Sequence, residues 1–261
     1  MAQSNTKEIY NRLNGKNMIA VASGKGGVGK TFLSITLAHA FAKKGEKVLL
    51  IDGDLGLPNI DIQLGVNSSK DIKNVLDGDM PINQAVTHNE SLSCDILTGR
   101  SSNEVLTGLS DGKLQLLKDD IYILAQHYDR VILDLGTGID KSMTLLAGCT
   151  GTILIVCNEE PTSLADAYTL IKILSAQKKA HLIKIIVNMA STKKEGERTF
   201  QTLFKACQSF LNIELVLGGI LHQDTHIKEA IKQQAPLLSI FPDSVIVNDI
   251  EALLTHITEN A

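Results

Sequence analysis

The sequence predicts an α/β fold: an open, mostly parallel, doubly wound sheet with helices on both faces. Short β-rich runs alternate along the chain with helix-length stretches. Several of these runs are apolar throughout, as strands must be when both faces of a parallel sheet are covered. Ligands of such sheets bind beyond the carboxyl ends of the strands, so the loops that follow strands are the candidate functional positions.

Strands are predicted where β-branched and apolar residues cluster, and helices where apolar residues recur every three or four positions. The predicted strands are residues 18–22, 47–51, 93–97, 130–134, 152–156, 182–187 and 214–219. The predicted helices are residues 30–44, 111–126, 163–177 and 193–211. The polar opening segment, residues 1–17, is predicted to be either mobile or a short helix through 7–13, and residues 18–261 to form a single domain.

Composition places the chain among ordinary globular proteins and narrows its partners. Of its 261 residues 44% are hydrophobic and 21% are charged, enough for one large domain. The net charge of −4 gives no general attraction to nucleic acid or to anionic lipid. We therefore expect no nucleic-acid partner.

Cysteine spacing and apolar-run length predict the compartment. The four cysteines, Cys94, Cys149, Cys157 and Cys207, form no Cys-x-x-Cys pair, so neither a zinc ribbon nor a disulfide framework is indicated. The chain opens without the apolar core of a signal peptide, and no apolar run approaches the roughly 20 residues that span a bilayer. A cytoplasmic protein is predicted, with peripheral contact at the inner membrane or cell pole left open.

The segment GKGGVGKT, residues 24–31, lies between the first predicted strand and the first predicted helix, the context of a phosphate-binding loop. Its glycines let backbone N–H groups converge on phosphates, Lys30 is expected to reach the β- and γ-phosphates, and Thr31 to bind Mg²⁺. ATP or ADP with Mg²⁺ is therefore the expected ligand. The predicted nucleotide-binding residues are Gly26, Gly27, Val28, Gly29, Lys30, Thr31 and Phe32.

Three aspartates follow predicted strands. Asp52 and Asp54 come directly after the run 47–51, and Asp134 ends the run 130–134 before Leu-Gly-Thr-Gly. Mg²⁺ keeps several waters and takes one or two carboxylates, so Asp134 is the expected metal anchor. Asp52 and Asp54 alone are also common turn residues, but their place one βα unit after the phosphate loop favours a role in the site.

A second lysine, Lys25, gives the loop the form KGGxGKT, which resembles the deviant P-loop ATPases of the MinD/ParA superfamily. The resemblance implies a slow, switch-type ATPase that is a homodimer when ATP is bound. It implies that Lys25 contacts nucleotide in the partner subunit and that Lys30 acts with it in catalysis. It also implies that Asp54 positions the attacking water and that Asp52 helps to organise the magnesium shell. A solvated loop lysine is the alternative for Lys25.

The same resemblance extends to the far side of the sheet. It implies that Asn188, after the predicted strand 182–187, hydrogen-bonds adenine, although asparagine is also a natural turn residue. Residues 218–224, GGILHQD, stand where relatives carry an Ile-Pro-x-Asp-like loop near the base. Leu221 replaces the proline, so the roles of His222 and Asp224 stay open.

Two segments indicate a branch. Residues 52–61, DGDLGLPNID, and residues 160–163, EPTS, resemble the FlhG (FleN, YlxH) flagellar-number regulators more than the cell-division protein MinD. The resemblance implies a dimerisation switch for flagellar assembly, whose partner is an FlhF-like GTPase or a basal-body component. Positioning of division machinery, cargo or DNA is the alternative. Iron–sulfur cluster carriage is a further one, disfavoured by the missing cysteine pair.

The two ends depart from that branch. FlhG and MinD proteins usually end in a basic amphipathic helix that inserts into the membrane, but no lysine or arginine follows Lys232 here. Residues 246–259 carry an apolar stripe of Ile250, Leu253, Leu254 and Ile257, which favours a terminal helix packed on the domain. Residues 3–13 only loosely resemble the activator helix that FlhG proteins offer to FlhF.

Overall fold

The computed structural model describes residues 15–99 and 109–258, and within them one eight-stranded sheet organises the chain. Its order is β3-β4-β2-β5-β1-β6-β7-β8, and all neighbours pair in parallel except β3, which runs antiparallel to β4. The predicted fold class is confirmed. The strands are β1 (Met18–Ser23), β2 (Val48–Gly53), β3 (Thr87–Asn89), β4 (Cys94–Leu97), β5 (Arg130–Thr137), β6 (Thr152–Cys157), β7 (Ile183–Ala190) and β8 (Val216–His222).

Helices connect the strands and cover both faces of the sheet. They are α1 (Lys30–Lys43), α2 (Ile60–Leu64), α3 (Ile72–Leu76), α4 (Ile82–Ala85), α5 (Asp111–Ala125), α6 (Lys141–Ala147), α7 (Pro161–Ala176), α8 (Lys193–Leu211), α9 (Thr225–Lys232), α10 (Leu237–Ile240) and α11 (Val245–Thr258). A single 3₁₀ turn, Ala180–Leu182, precedes β7. The four long helices lie where the apolar periodicity predicts them.

Alternation of side chains along each strand creates two cores, one on each face of the sheet. In β1, Met18 and Ala20 pack with α5, α6, α7 and α8, whereas Ile19 and Val21 pack with α1, α10 and α11. Every residue of β1 is buried. This two-sided burial explains why the central strands are apolar throughout rather than alternating.

The structure differs from the prediction at the sheet edges. The antiparallel strand β3 was not predicted because three half-exposed residues show no periodicity that marks a strand. The last strand is β8, Val216–His222, rather than residues 214–219. The predicted strand stops at Gly219, since paired glycines usually mark a turn, but Ile220 and His222 still pair with β7. The expectation that residues 218–224 form a loop is therefore wrong up to His222.

The terminal helix α11 is packed on the domain, as its stripe predicts. Ile250, Leu253, Leu254 and Ile257 are buried against β8 and α1. Its polar side chains also reach the open edge of β8: Asp249 accepts the His222 backbone N–H at 2.8 Å. On the same edge, His256 Nδ1 lies 3.0 Å from the Gly218 carbonyl oxygen. The predicted end of this helix at residue 259 lies outside the described residues.

The opening segment is described only from Gly15, so the prediction that residues 1–17 are mobile or form a helix through 7–13 falls mostly outside the described residues. The division of the chain at residue 18 stays a prediction. Among the described helices, none is both long enough and apolar enough to cross a membrane.

Truncation of the α11 stripe should destabilise the domain. Leu253 is fully buried against β8, so Leu253→Ala should lower the free energy of unfolding by about 2–5 kcal/mol through lost burial and a residual cavity. Val245→Ala, at an exposed position of the same helix, should change it by less than about 0.5 kcal/mol. Urea unfolding followed by circular dichroism measures both. Equal stability of the two variants would contradict the packed helix.

Candidate nucleotide-binding site

Strand order brings the predicted site residues to one edge of the sheet. β5 lies between β1 and β2. The phosphate loop follows β1, the Asp52–Asp54 segment spans the end of β2, and Asp134 lies within β5, which continues to Thr137. Asp52 and Asp134 are direct register partners across β2 and β5. The edge they share is the carboxyl end of the sheet, where ligands of this fold class bind.

The phosphate loop has the backbone that an anion site needs. Gly27 and Gly29 have φ angles of 78° and 92°, in the left-handed region that glycine adopts without strain. Gly29 caps the first turn of α1, so the free N–H groups of the helix start point into the loop. No atom lies within 4 Å of the position that a Gly27 Cβ would occupy, which leaves the loop open for a phosphate.

Lys30 is a buried cation at the start of α1. Its side chain is only 8% exposed, and burial lowers its pKa, while the nearby carboxylates of Asp134 and Asp54 act in the opposite direction. A buried charge needs compensation, and here two acids on neighbouring strands supply it. Lys30 is therefore electrostatically coupled to two of the three predicted acidic residues, Asp134 and Asp54.

Asp134 is held by the helix that follows the phosphate loop. It is 2% exposed, and Ser34 Oγ lies 3.0 Å from its Oδ1. Burial raises the pKa of Asp134 to about 6, and this rise is opposed by a hydrogen bond from Thr31, by the charge of Lys30 and by the Ser34 hydrogen bond. The predicted magnesium residue Thr31 is thus near enough to Asp134 to lower the pKa of its carboxyl.

Asp52 shapes the loop that follows β2. It is fully buried, and its carboxylate accepts backbone N–H groups from Asp54 at 3.2 Å and from Asn59 and Ile60 at 3.0 Å. Burial, together with the charge of Asp134, raises the pKa of Asp52 to about 8 despite these hydrogen bonds. The carboxylate fixes both ends of the segment that carries Asp54.

Asp54 lies between two segments of the site. Its Oδ1 accepts the N–H groups of Gly56 at 3.2 Å and Leu57 at 2.9 Å. A Cβ on Gly136 would approach the same oxygen to 3.1 Å, so this glycine near the end of β5 lets the strand pack against the Asp54 carboxylate. Movement of either segment would therefore displace the other.

Lys25 contacts the start of α7. Its Nζ is paired with the Glu160 carboxylate and donates to Thr162 Oγ1 at 2.8 Å. Hydrogen bonds from Lys25 and Asn158 lower the pKa of Glu160. About a third of the Lys25 side chain is exposed, so the lysine forms a surface ion pair that exchanges readily.

Asn188 contacts the phosphate loop directly. It is 2% exposed, and its Nδ2 donates to the Val28 carbonyl oxygen at 2.7 Å. A Cβ on Gly29 would overlap that same Nδ2. In this structure Asn188 fastens β7 to the loop, and its implied bond to adenine stays a prediction.

The remaining predicted residues contribute backbone or structural contacts. The side chains of Val28 and Phe32 are buried in the α1 core, so only their backbone N–H groups can face a phosphate. His222 pairs with Asp249 on α11 through a 2.9 Å contact from its Nδ1. Asp224 caps α9 by accepting the His226 N–H at 2.8 Å. Both side chains, whose roles near the base the sequence leaves open, thus contact neighbouring helices in this structure.

A magnesium ion fits the donors at this edge only together with phosphates. Among residues 15–99 and 109–258, no three His, Cys, Asp or Glu side chains are grouped as a metal site. Mg²⁺ prefers one or two carboxylates plus waters and phosphate oxygens, which a Thr31 hydroxyl beside the Asp134 carboxylate can complete. The Asp52 carboxylate already accepts three backbone donors, so its place in the magnesium shell stays a prediction.

Comparison with known proteins decides the family. A family model for ParA, described as the NUBPL iron-transfer P-loop NTPase, matches residues 14–258. The chain belongs to the MinD/ParA family of P-loop NTPases. This MinD/ParA chain is an ATP-binding ATPase, and the resemblance inferred from Lys25 and residues 52–61 is confirmed at the family level.

Two curated relatives span most of this MinD/ParA ATPase. The antiactivator FleN of Pseudomonas aeruginosa is 32% identical over 231 residues, covering 87% of this chain and 81% of FleN. The flagellum site-determining protein YlxH of Helicobacter pylori is 30% identical, covering 95% of this chain and 84% of YlxH. Among solved structures, the septum site-determining protein MinD of Pyrococcus horikoshii, complexed with Mg-ADP, superposes with a TM-score of 0.78 at 25% identity. That superposition covers 94% of this chain and 97% of that one.

Three contacts of the site were missed by the sequence reasoning. Ser34 carries no motif, Gly136 was noted only as a loop glycine, and Glu160 was read only as a mark of the branch. A hydroxyl one helical turn after the motif's Lys-Thr pair was the available signal for Ser34, since residues i and i+4 share a helix face. For Glu160, nothing local indicates a lysine 135 positions earlier.

Gly29→Ala should abolish nucleotide binding. The alanine would need a left-handed backbone and would displace Asn188, so the loop must open at the start of α1. Gly45→Ala is the matched control, because Gly45 has a φ of 85° with no atom within 4 Å of its Cβ position. It should cost about 1–2 kcal/mol of stability and leave nucleotide affinity unchanged. Fluorescent ADP titration and urea unfolding separate the outcomes, and wild-type affinity in Gly29→Ala would contradict the geometry.

The raised pKa of Asp52 predicts a pH dependence of stability in protein free of nucleotide and magnesium. Because the folded state binds the proton more tightly than the unfolded chain, this contribution is complete below about pH 4 and is lost as the pH rises through about 8. The free energy of unfolding of wild type minus that of Asp52→Asn should therefore fall between pH 4 and 8 and level off above. A difference that stays constant over this range would show that Asp52 does not titrate as its burial requires.

Proposed function

We propose that this ATPase is an ATP-dependent dimerisation switch that regulates the number or place of flagella. The supporting observation is the division of labour between two lysines of one loop. Lys30 is buried near the carboxylates, whereas Lys25 is partly exposed and paired with Glu160 and Thr162 at the start of α7. The names of the relatives FleN and YlxH support the flagellar setting.

The chemistry of the proposed switch follows from the geometry at the sheet edge. The loop N–H groups and Lys30 hold the phosphates, and magnesium held by Thr31 and Asp134 neutralises phosphate charge during transfer to water. Asp54, fixed by the loop amides, is placed to orient that water. Lys25 leaves Glu160 and Thr162 when a second subunit presents its nucleotide, and the ion pair it gives up is a weak surface contact.

Apolar side chains on the loops of the site suit a nucleotide-controlled interface. Leu57, Ile62 and Ile139 are each about half exposed or more, and they follow Asp54 or Asp134 in the sequence. Loops that contact a γ-phosphate and its magnesium rearrange when the phosphate leaves. ATP would thus fix the apolar side chains for a homodimer, and the dimer would then bind a flagellar assembly component such as an FlhF-like GTPase or basal-body protein.

Three alternatives have less support. MinD-like division positioning at a membrane would need another anchor, since the apolar stripe of α11 is buried as far as residue 258. DNA positioning predicts salt-sensitive DNA binding, which the net charge of −4 disfavours. Iron transfer, named in the family model's description, needs neighbouring thiolates. Three of the four cysteines are buried, burial raises the pKa of all four, and none pairs with another.

Substitutions of Asp54 and Lys25 should separate ATP hydrolysis from ATP-dependent dimerisation. Asp54→Ala should hydrolyse ATP at least about 100-fold more slowly and stay dimeric in ATP, because bound ATP is no longer consumed. Lys25→Ala should stay monomeric in both ATP and ADP. Lys44→Ala, at an exposed position after α1, should behave as wild type. Light scattering after size exclusion and phosphate release provide the readouts, and wild-type behaviour of both variants would be incompatible with the switch.

The flagellar role has its own test. Asp54→Ala protein bound to ATP should retain a flagellar assembly component in a pull-down, and the ADP-bound protein should not, because only the closed dimer presents the interface. In the native host, deletion of the protein should change the number or place of flagella counted by electron microscopy. Unchanged flagella together with altered division sites would instead support the MinD-like alternative.

A further inference from the structure

Ser34 lies beneath the phosphate loop and makes a contact that the motif does not explain. It sits on α1 one turn after Lys30 and is fully buried. Its Oγ lies 3.0 Å from Asp134 Oδ1 and 3.1 Å from the Lys30 carbonyl oxygen. A hydroxyl has one proton, so only one of these acceptors receives it at a time, and an ionised carboxylate is the stronger acceptor.

A buried hydroxyl on this helix does not need Asp134 for its own satisfaction. Thr36, two residues further along α1, is also buried and donates to the Phe32 carbonyl oxygen at 2.7 Å. The same backbone option is open to Ser34 through Lys30. The backbone alone could therefore satisfy the Ser34 hydroxyl, and its contact with Asp134 is additional to that requirement.

The hydroxyl whose hydrogen bond to Asp134 has a defined geometry is that of Ser34, whereas the hydroxyl of the predicted metal site is that of Thr31. Thr31 is partly exposed and is expected to turn its oxygen toward Mg²⁺. Ser34 has no exposed surface, so it cannot reach a metal bound on the phosphate side. Its bond to Oδ1 can persist while Thr31 changes partner.

We propose that Ser34 is a positioning residue for magnesium: its hydrogen bond to Oδ1 fixes the orientation of the Asp134 carboxylate. The inference rests on the proposed magnesium-nucleotide site. Side chains that orient a metal-binding group from behind commonly contribute about 10–100-fold to metal affinity. Loss of the Ser34 hydroxyl should therefore weaken magnesium binding while leaving the phosphate loop itself intact.

The experiment titrates Mg²⁺ into protein that is pre-equilibrated with a fluorescent ADP analogue. Ser34→Ala should raise the Mg²⁺ concentration at half-maximal change by about 10–100-fold, with metal-free ADP affinity, measured in EDTA, unchanged. Ser34→Thr keeps the hydroxyl and should restore the wild-type midpoint. Thr36→Val is the matched control, since it removes a buried hydroxyl of α1 that contacts only the backbone, and its midpoint should equal that of wild type.

Four outcomes decide whether Ser34 positions the magnesium ligand. A Ser34→Ala midpoint equal to wild type overturns it, and so does an equal shift in Thr36→Val, which would reveal a general effect on α1. If Ser34→Ala is too unstable to titrate, Ser34→Cys keeps the volume with a weaker donor and should show the same shift. Wild-type protein that binds ADP without any response to Mg²⁺ would instead refute the proposed magnesium site and not the Ser34 contact alone.

Discussion

The site depends on one electrostatic constraint: the buried cation Lys30 faces the buried carboxylate Asp134, with Asp54 close to both. Removing such charges from water is costly unless each has partners. The strands β1, β5 and β2 must therefore end at the same level, and α1 must begin directly above them. The strand order and register meet this requirement, since Asp52 and Asp134 are direct partners. Bound nucleotide would bring negatively charged phosphates close to Lys30 and so add to the charges that compensate this cation.

Further contacts join the phosphate loop and the Asp54 segment to the neighbouring strands and helices. The Asp52 carboxylate holds both ends of the segment that carries Asp54. Gly136 on β5 leaves room for the Asp54 carboxylate, and Asn188 on β7 bonds to the backbone of the phosphate loop. On the other side Lys25 reaches the start of α7. Asn188 and Lys25 link β7 and α7 to the phosphate loop. Asp52 and Gly136 link β2 and β5 to the Asp54 segment. Through links of this kind the proposed switch would pass a change at the phosphates to the surrounding elements.

The sequence predicted the elements that are long and apolar and the residues that belong to motifs. The central strands, the long helices and the residues from Gly24 to Thr31 could all be located because their signals are local. The edge strand β3, the short helices and the extent of β8 could not, because too few residues carry a period. Contacts such as Ser34 with Asp134, or Lys25 with Glu160, join residues at least 100 positions apart. They arise from strand order, which no local pattern specifies.

The polar contacts between α11 and β8 have a consequence for assembly. An exposed parallel edge offers free N–H and C=O groups to any extended chain and invites strand addition. Here the Asp249 carboxylate and the His256 ring occupy backbone groups of His222 and Gly218 on that edge. The terminal helix thus closes the sheet to further strands on this side. The dimer proposed above would thereby be directed away from edge-to-edge growth, which has no fixed stoichiometry, and toward the loop-bearing end of the sheet, where nucleotide would control it.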